Sequence, residues 1–161
     1  MLFRSRLGAE LERAARLQQN VSVAMLDIDH FKKVNDLHGH LTGDQVISSL
    51  ANLLRQQLRK TDLIGRYGGE EFLIVLPECQ LDKACQVVNQ LREAFARIPF
   101  VSNGQTFHCS FSAGITSGSD SQQVDVVVDH ADQALYQAKG AGRNQVILYQ
   151  PPLLAVSESP S

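Results

Sequence analysis

Apolar residues recur along this chain in two rhythms, and the switches between them divide it into elements. Phe3, Leu7, Leu11 and Leu17 return at helical spacing with charges between them, which predicts an amphipathic helix over Phe3–Gln19. Val21 to Asp29 is a compact apolar run that ends in acids, and predicts a buried strand whose carboxyl end carries Asp27 and Asp29. A short polar helix is expected over His30–Leu37, then a loop punctuated by Gly39 and Gly43. From near Asp44, the residues Val46, Ile47, Leu50, Leu53, Leu54 and Leu58 form one apolar helical face.

Thr61–Tyr67 and Glu71–Leu76 read as strands on either side of Gly68-Gly69, a hairpin signal because both glycines can take positive φ; Pro77 ends the second strand. Ala84, Val87, Val88, Leu91 and Phe95 make the clearest amphipathic helix. Gln105–Thr116 is strand-like, paired with a short strand at Phe100–Ser102 across Asn103-Gly104. Val124, Val127, Val128, Ala131, Leu135 and Ala138 give a further helix face, stopped by Gly140 and Gly142. Asn144–Tyr149 is expected as a last strand, and Gln150–Ser161 as a disordered tail. This order predicts one α/β sandwich, residues 1–149, with a mixed, largely antiparallel sheet flanked by helices and a central β-α-β-β-α-β core of the ferredoxin-like kind. Such a core hosts many functions, so chemistry has to come from particular residues.

Composition narrows the partners. The 161 residues carry a formal net charge of −2, which gives no reason to expect a nucleic-acid polymer, while a local Lys/Arg pair can still bind one phosphate chain. The three cysteines, Cys79, Cys85 and Cys109, are odd in number and form no CxxC pair. A reducing, cytoplasmic setting is therefore expected rather than a disulfide framework or a zinc site.

Four groups of residues could carry chemistry, and each also has an ordinary explanation. Asp27-Ile28-Asp29 suits a hard cation such as Mg²⁺, with one carboxylate and a neighbouring carbonyl as ligands; a strand turning polar as it meets solvent looks the same. Glu70 and Glu71 sit in Gly68-Gly69-Glu70-Glu71-Phe72, and alternation sends them to opposite faces, so at most one shares a metal with Asp27; a solvated acidic hairpin is the alternative. Lys139 and Arg143 at a helix end can clamp phosphates or merely complement the helix dipole. Asn35 and Asp44 can match the guanine edge, a carboxylate taking two donors and a carboxamide completing the pattern; both types also serve in turns and caps.

The order of these segments resembles a known family. DIDHFKKVNDLHGHLTGD from Asp27 to Asp44, RYGGEEF from Arg66 to Phe72, FSAGIT from Phe111 to Thr116 and ADQALYQAKGAGRN from Ala131 to Asn144 are similar to the motifs of GGDEF domains, here in the GGEEF form. The resemblance covers about Phe3 to Tyr149. It implies a fold like class III nucleotidyl cyclases and polymerase palms, and a diguanylate cyclase that condenses two GTP into cyclic di-GMP and pyrophosphate. It implies two Mg²⁺ (or Mn²⁺) ions per site, held by Asp27, the Ile28 carbonyl and Glu70, with Glu71 a further motif acid. Asn35 and Asp44 match guanine contacts, Lys139 and Arg143 triphosphate contacts, and Phe31 and Lys32 the phosphate-side loop.

Each subunit would hold one GTP, so a homodimer is implied. Arg59 and Asp62 fall at the spacing of the family's inhibitory cyclic di-GMP site, where Gln90 replaces a second Arg often found there. The family's usual opening motif, DxLTGLxNR, is not found. The resemblance thus points to a longer parent with an N-terminal regulatory or membrane-anchoring region. A GTP or cyclic di-GMP sensor without catalysis is the competing reading; a receptor has no need of metal-binding acids.

Overall fold

The computed structural model describes residues 2–152, so residues 153–161 of the expected tail lie outside the described residues; Gln150–Pro152 forms no regular element. The chain folds as α1 (Leu2–Leu17), β1 (Val21–Ile28), α2 (Phe31–His38), α3 (His40–Gln57), β2 (Leu63–Arg66), β3 (Glu71–Pro77), α4 (Leu81–Ala96), β4 (Phe100–Ser102), β5 (Gln105–Phe107), β6 (Phe111–Ser117), α5 (Val124–Gly140) and β7 (Val146–Leu148). Five strands form one sheet in the order β2-β3-β1-β6-β7, antiparallel except for the parallel β6–β7 pair. The predicted mixed, largely antiparallel α/β architecture is what is observed.

β1 is central and buried along its whole length, and period-two alternation splits its side chains between two cores. Ala24, Leu26 and Ile28 pack with Val46, Leu50 and Leu54 of α3 and Val88, Leu91 and Phe95 of α4. Val21, Val23 and Met25 pack on the other face with Leu7 and Leu11 of α1 and Val127, Ala131 and Leu135 of α5. Asp27 continues the second series, so β1 delivers it to the α5 side. α5 lies directly on β6 at Gly114, where an added Cβ would stand 2.2 Å from the Leu135 nitrogen and 2.3 Å from the Ala131 carbonyl oxygen. That close approach brings the last turn of α5, with Lys139, over the end of β1.

Three local expectations are corrected. The third helix starts at His40 rather than near Asp44, and Gly43 is buried inside it rather than in a loop; only Gly39, at φ +88, breaks the chain between α2 and α3. The run Gln105–Thr116 is two strands, because β5 pairs with β4 in a separate hairpin while β6 enters the main sheet. The β2–β3 hairpin forms as expected, yet neither Gly68 nor Gly69 takes a positive φ. Its turn is closed by Tyr67 N–H donating to the Glu71 carbonyl at 2.8 Å and by Arg66 donating to the Gly69 carbonyl.

Candidate active site at the carboxyl end of the central strand

The register of the sheet decides which acids meet. Asp27 stands opposite Glu71 on β3 and opposite Ser112 on β6. Directly paired residues point to the same face, so Glu71 shares the α5 side with Asp27. Glu70 precedes β3, in the turn, where its carbonyl accepts the Ile28 N–H at 3.3 Å. The strand therefore brings Glu71 beside Asp27, and the turn brings Glu70 beside Ile28.

Asp27 is only 5% exposed. One oxygen, Oδ2, accepts from the Lys139 ammonium, while Oδ1 is buried without any partner. Burial pushes the Asp27 carboxyl above its ordinary range, although the Lys139 hydrogen bond and charge oppose the shift. Glu71 is also raised, first by burial and then by the Asp27 charge, which Lys139 partly offsets. Arg143 lies just beyond α5 at φ +62, exposed, with its charge favouring ionised Asp27.

These residues suit the divalent cation that the sequence implies. A buried carboxylate oxygen without a donor is costly, and a hard cation is a ligand that would satisfy it. Among the described residues no three His, Cys, Asp or Glu side chains form a ready metal-binding group. Two carboxylates and a carbonyl leave coordination positions for phosphate oxygens and water, the arrangement usual for Mg²⁺.

A second orphan sits some residues further on. The Oδ1 of Asn35, on α2, is buried without a partner. A Cβ at Gly43 would fall 1.9 Å from that oxygen and 3.1 Å from the Phe31 ring, so glycine is what leaves the carboxamide its space. Asp44, the next residue, is exposed and borders an open groove of about 560 Å³ with Gln45, Ser48, Asn52 and Val101. Lys32 pairs with Asp36 at 3.1 Å on the exposed face of α2. The end of α2 is braced by the His38 ring, stacked on Phe107 at 4.0 Å and 3°. Phe107, Phe100, Phe95 and Phe111 continue that contact into the core, with centroids 5.6–6.2 Å apart.

Arg59 and Asp62 also meet, at the other end of β1. Asp62, with its side chain 2% exposed, accepts from Arg59 Nη2 and from the Arg59 backbone N–H, both at 2.7 Å. Arg59 Nη2 also donates to the Pro77 carbonyl, and Pro77 pairs with Val21 at the start of β1. Six residues of strand separate Val21 from Asp27, about 20 Å at the usual strand rise. A cavity of about 360 Å³ opens beside the pair, lined by Leu58, Leu76, Cys79, Lys83 and Val87. Gln90 is exposed on α4 and does not line it.

Sequence reasoning missed the roles of Asp29, Gly43 and His38. A pattern of two acids or a glycine before Asp44 signals position, but not which oxygen is left free.

A largely antiparallel sheet with acids at the end of its central strand and a lysine bonded to one of them is the frame of a nucleotidyl-cyclase-like domain. The family model described as diguanylate cyclase, GGDEF domain matches residues 1–145. The chain is 44% identical over 141 residues to the diguanylate cyclase DgcP of Pseudomonas aeruginosa, covering 88% of this chain and 21% of that protein. It is 37% identical over 131 residues to DgcM of Escherichia coli, covering 81% of this chain and 31% of that one. The chain thus spans about a fifth to a third of these curated relatives.

Among solved structures, the active GGEEF domain of a Vibrio cholerae diguanylate cyclase superposes with a TM-score of 0.85 at 36% identity, covering 92% of this chain and 94% of that one. The GGDEF domain of DgcB from Caulobacter crescentus, in complex with c-di-GMP, gives 0.88 at 29%, covering 92% and 89%. This chain belongs to the GGDEF diguanylate cyclase domain family. Among the described residues no helix is long and apolar enough to cross a membrane.

Proposed function

We propose that this domain condenses two GTP molecules into cyclic di-GMP, releasing two pyrophosphates. The observation that carries the reading is Asp27, a buried carboxylate with one oxygen on Lys139 and the other unpartnered, in a chain of this family. Asp27, the Ile28 carbonyl and Glu70 would hold Mg²⁺ or Mn²⁺, two ions per site, with Glu70 reaching in from the turn before β3, where strand alternation does not bind it, and Glu71 as the further carboxylate on the Asp27 face. When bound, the metal offsets triphosphate charge and polarises the α-phosphorus.

The chain's own residues supply the rest. Lys139 pairs with Asp27, and would be free to reach the phosphates where a cation offsets the Asp27 charge. Asn35 and Asp44 orient guanine, and the backbone at Phe31 and Lys32 lies alongside the phosphates. Glu70 accepts the 3′-hydroxyl proton of the partner's GTP as that oxygen attacks the α-phosphorus in line. The α–β phosphoanhydride bond breaks, and Lys139 and Arg143 stabilise the departing pyrophosphate. A second, equivalent step closes the ring, so two domains must face each other as a homodimer. Glu71, beside Asp27 with a raised carboxyl, tunes the charge of the metal-binding end.

Arg59 and Asp62 form a product site, and a glutamine at Gln90 makes it a weak one. The c-di-GMP complex of the related DgcB domain supports product recognition by this fold. We read the domain as a cytoplasmic part of a longer parent with an N-terminal regulatory region; the relatives DgcP and DgcM, covered to 21% and 31%, are themselves longer proteins. Incubation with GTP and Mg²⁺, followed by chromatography, tests the proposal. Cyclic di-GMP is the expected product; GTP binding without it would make the domain a sensor instead.

A further inference from the structure

Asp29 lies two residues beyond Asp27, buried at 7% exposure, and both its oxygens have donors. Oδ1 accepts from Ser112 Oγ at 2.6 Å; Oδ2 accepts from Ser110 Oγ at 2.6 Å and from the Asn144 backbone N–H at 3.0 Å. Ser112 Oγ accepts the same N–H at 3.1 Å. Both oxygens of Asp29 thus have protein donors, unlike Asp27 Oδ1. What the carboxylate holds is the turn that follows α5.

That turn is unusual backbone. Gly142, Arg143 and Asn144 take φ values of +118, +62 and +49, so two successive residues with a Cβ lie in the left-handed region. Such geometry persists where the surroundings over-determine it. Here Asp29 and Ser112 grip Asn144 from inside the sheet, and Arg92 Nη1 on α4 donates to Asn144 Oδ1 at 2.8 Å from outside. The Arg143 N–H in turn donates to the Ala138 carbonyl at 2.9 Å. The exposed guanidinium of Arg143 therefore leaves the chain from a fixed point.

We infer that Asp29 is a positioning residue for Arg143, fixing the turn from which that side chain reaches the nucleotide's phosphates, with Ser112 and Arg92 as parts of the same brace. This rests on the reading of Arg143 as a phosphate contact. Asp29 itself touches neither metal nor substrate. Its effect comes from ordering the backbone beforehand, so that a long side chain loses less freedom on binding.

Calorimetry with 3′-deoxy-GTP, which lacks the attacking hydroxyl, and with GMP, both with Mg²⁺, separates this role from general support of the fold. Asp29→Ala is expected to weaken 3′-deoxy-GTP about 10-fold, as Arg143→Ala does, and to leave GMP affinity unchanged. Arg92→Ala, on the outer side of the turn, is expected to weaken it about 3-fold, and neither change should add to Arg143→Ala. If Arg143→Ala lowers the triphosphate preference while Asp29→Ala and Arg92→Ala keep it, the inference falls and the proposed function stands. Equal losses for GMP and 3′-deoxy-GTP would make Asp29 merely structural. A triphosphate preference that survives Arg143→Ala would remove the phosphate contact itself, and this inference with it. Should Asp29→Ala not fold by thermal melt, the same ratio in Arg92→Ala decides.

Discussion

The two ends of β1 treat their charged residues in opposite ways. At the carboxyl end, Asp27 and Asn35 keep buried oxygens unpartnered, and Glu71 crowds against the Asp27 charge. At the amino end, Arg59 and Asp62 satisfy each other, and Arg59 also reaches the Pro77 carbonyl. Unmet polar groups held by a rigid sheet are a cost that a ligand can relieve. A pair that is already closed must be opened, or approached from its outer side. The first end thus keeps groups that a ligand could satisfy, and the second has its charges already paired.

The largest effect expected from this contrast is at Asp27. Asp27→Asn should lower cyclic di-GMP formation by at least about a thousandfold, by removing the charge a cation needs. Its melting temperature should not fall, since a poorly satisfied buried charge is gone and the one-third-exposed Lys139 returns to water. Near-normal turnover would break the comparison at its functional end. Asp44→Ala comes next, weakening GTP about 10- to 100-fold more than ATP, as for a site that reads a base edge by hydrogen bonds. Competitive binding of the two nucleotides measures it, and equal losses reject the guanine assignment.

Arg59→Ala should show the opposite signature. It strands the buried Asp62 carboxylate, so stability should drop by about 1 kcal/mol, the remaining backbone N–H limiting the loss. The cyclic di-GMP inhibition curve should move by about 5-fold or more, within the usual range of coupling between sites. Superimposable curves for the two proteins would leave the pair a structural clasp only.

Dependence on pH sharpens the comparison further. Asp27 and Glu71 sit above their ordinary values of 3.8 and 4.5. Their contribution to the stability of the metal-free domain is therefore fully present below those values and is lost as pH rises through the raised ones. Mg²⁺ binding prefers the ionised carboxylates, so its affinity should rise over the same interval, with proton release. Calorimetric titration in two buffers across that range, alongside melts, checks both signs. A metal affinity flat with pH would contradict the crowded-carboxylate picture. The smallest effect concerns the brace on α2. His38→Ala should raise the KM for GTP roughly 2- to 10-fold, the worth of one aromatic contact, and His38→Phe should restore it.

Much of the fold was legible because its signals are local. The apolar run from Val21, the helix faces at Val46–Leu58 and Ala84–Phe95, and the turn at Gly68-Gly69 each carry their own period or punctuation. The elements that misread are those decided by distant partners. Position 43, inside α3, is glycine because Asn35 fills the space a Cβ would take, and Gln105–Thr116 is split because its halves pair with different strands.

The site divides along the same line. Sequence by itself determined which residue types stand where: acids two apart at the end of β1, Glu70-Glu71 at the hairpin, Lys139 and Arg143 at the end of α5, and Arg59 three residues before Asp62. Strand alternation even places Asp27 and Asp29 on one side. Only tertiary structure decided their chemistry. Asp29 is saturated by Ser110, Ser112 and Asn144, which arrive from more than 80 residues away, while Asp27 meets Lys139 from 112 residues away and keeps one oxygen bare. The reason is physical: a carboxylate's identity is written in the chain, but whether it is free or spent depends on donors that only the packed sheet and α5 bring within reach.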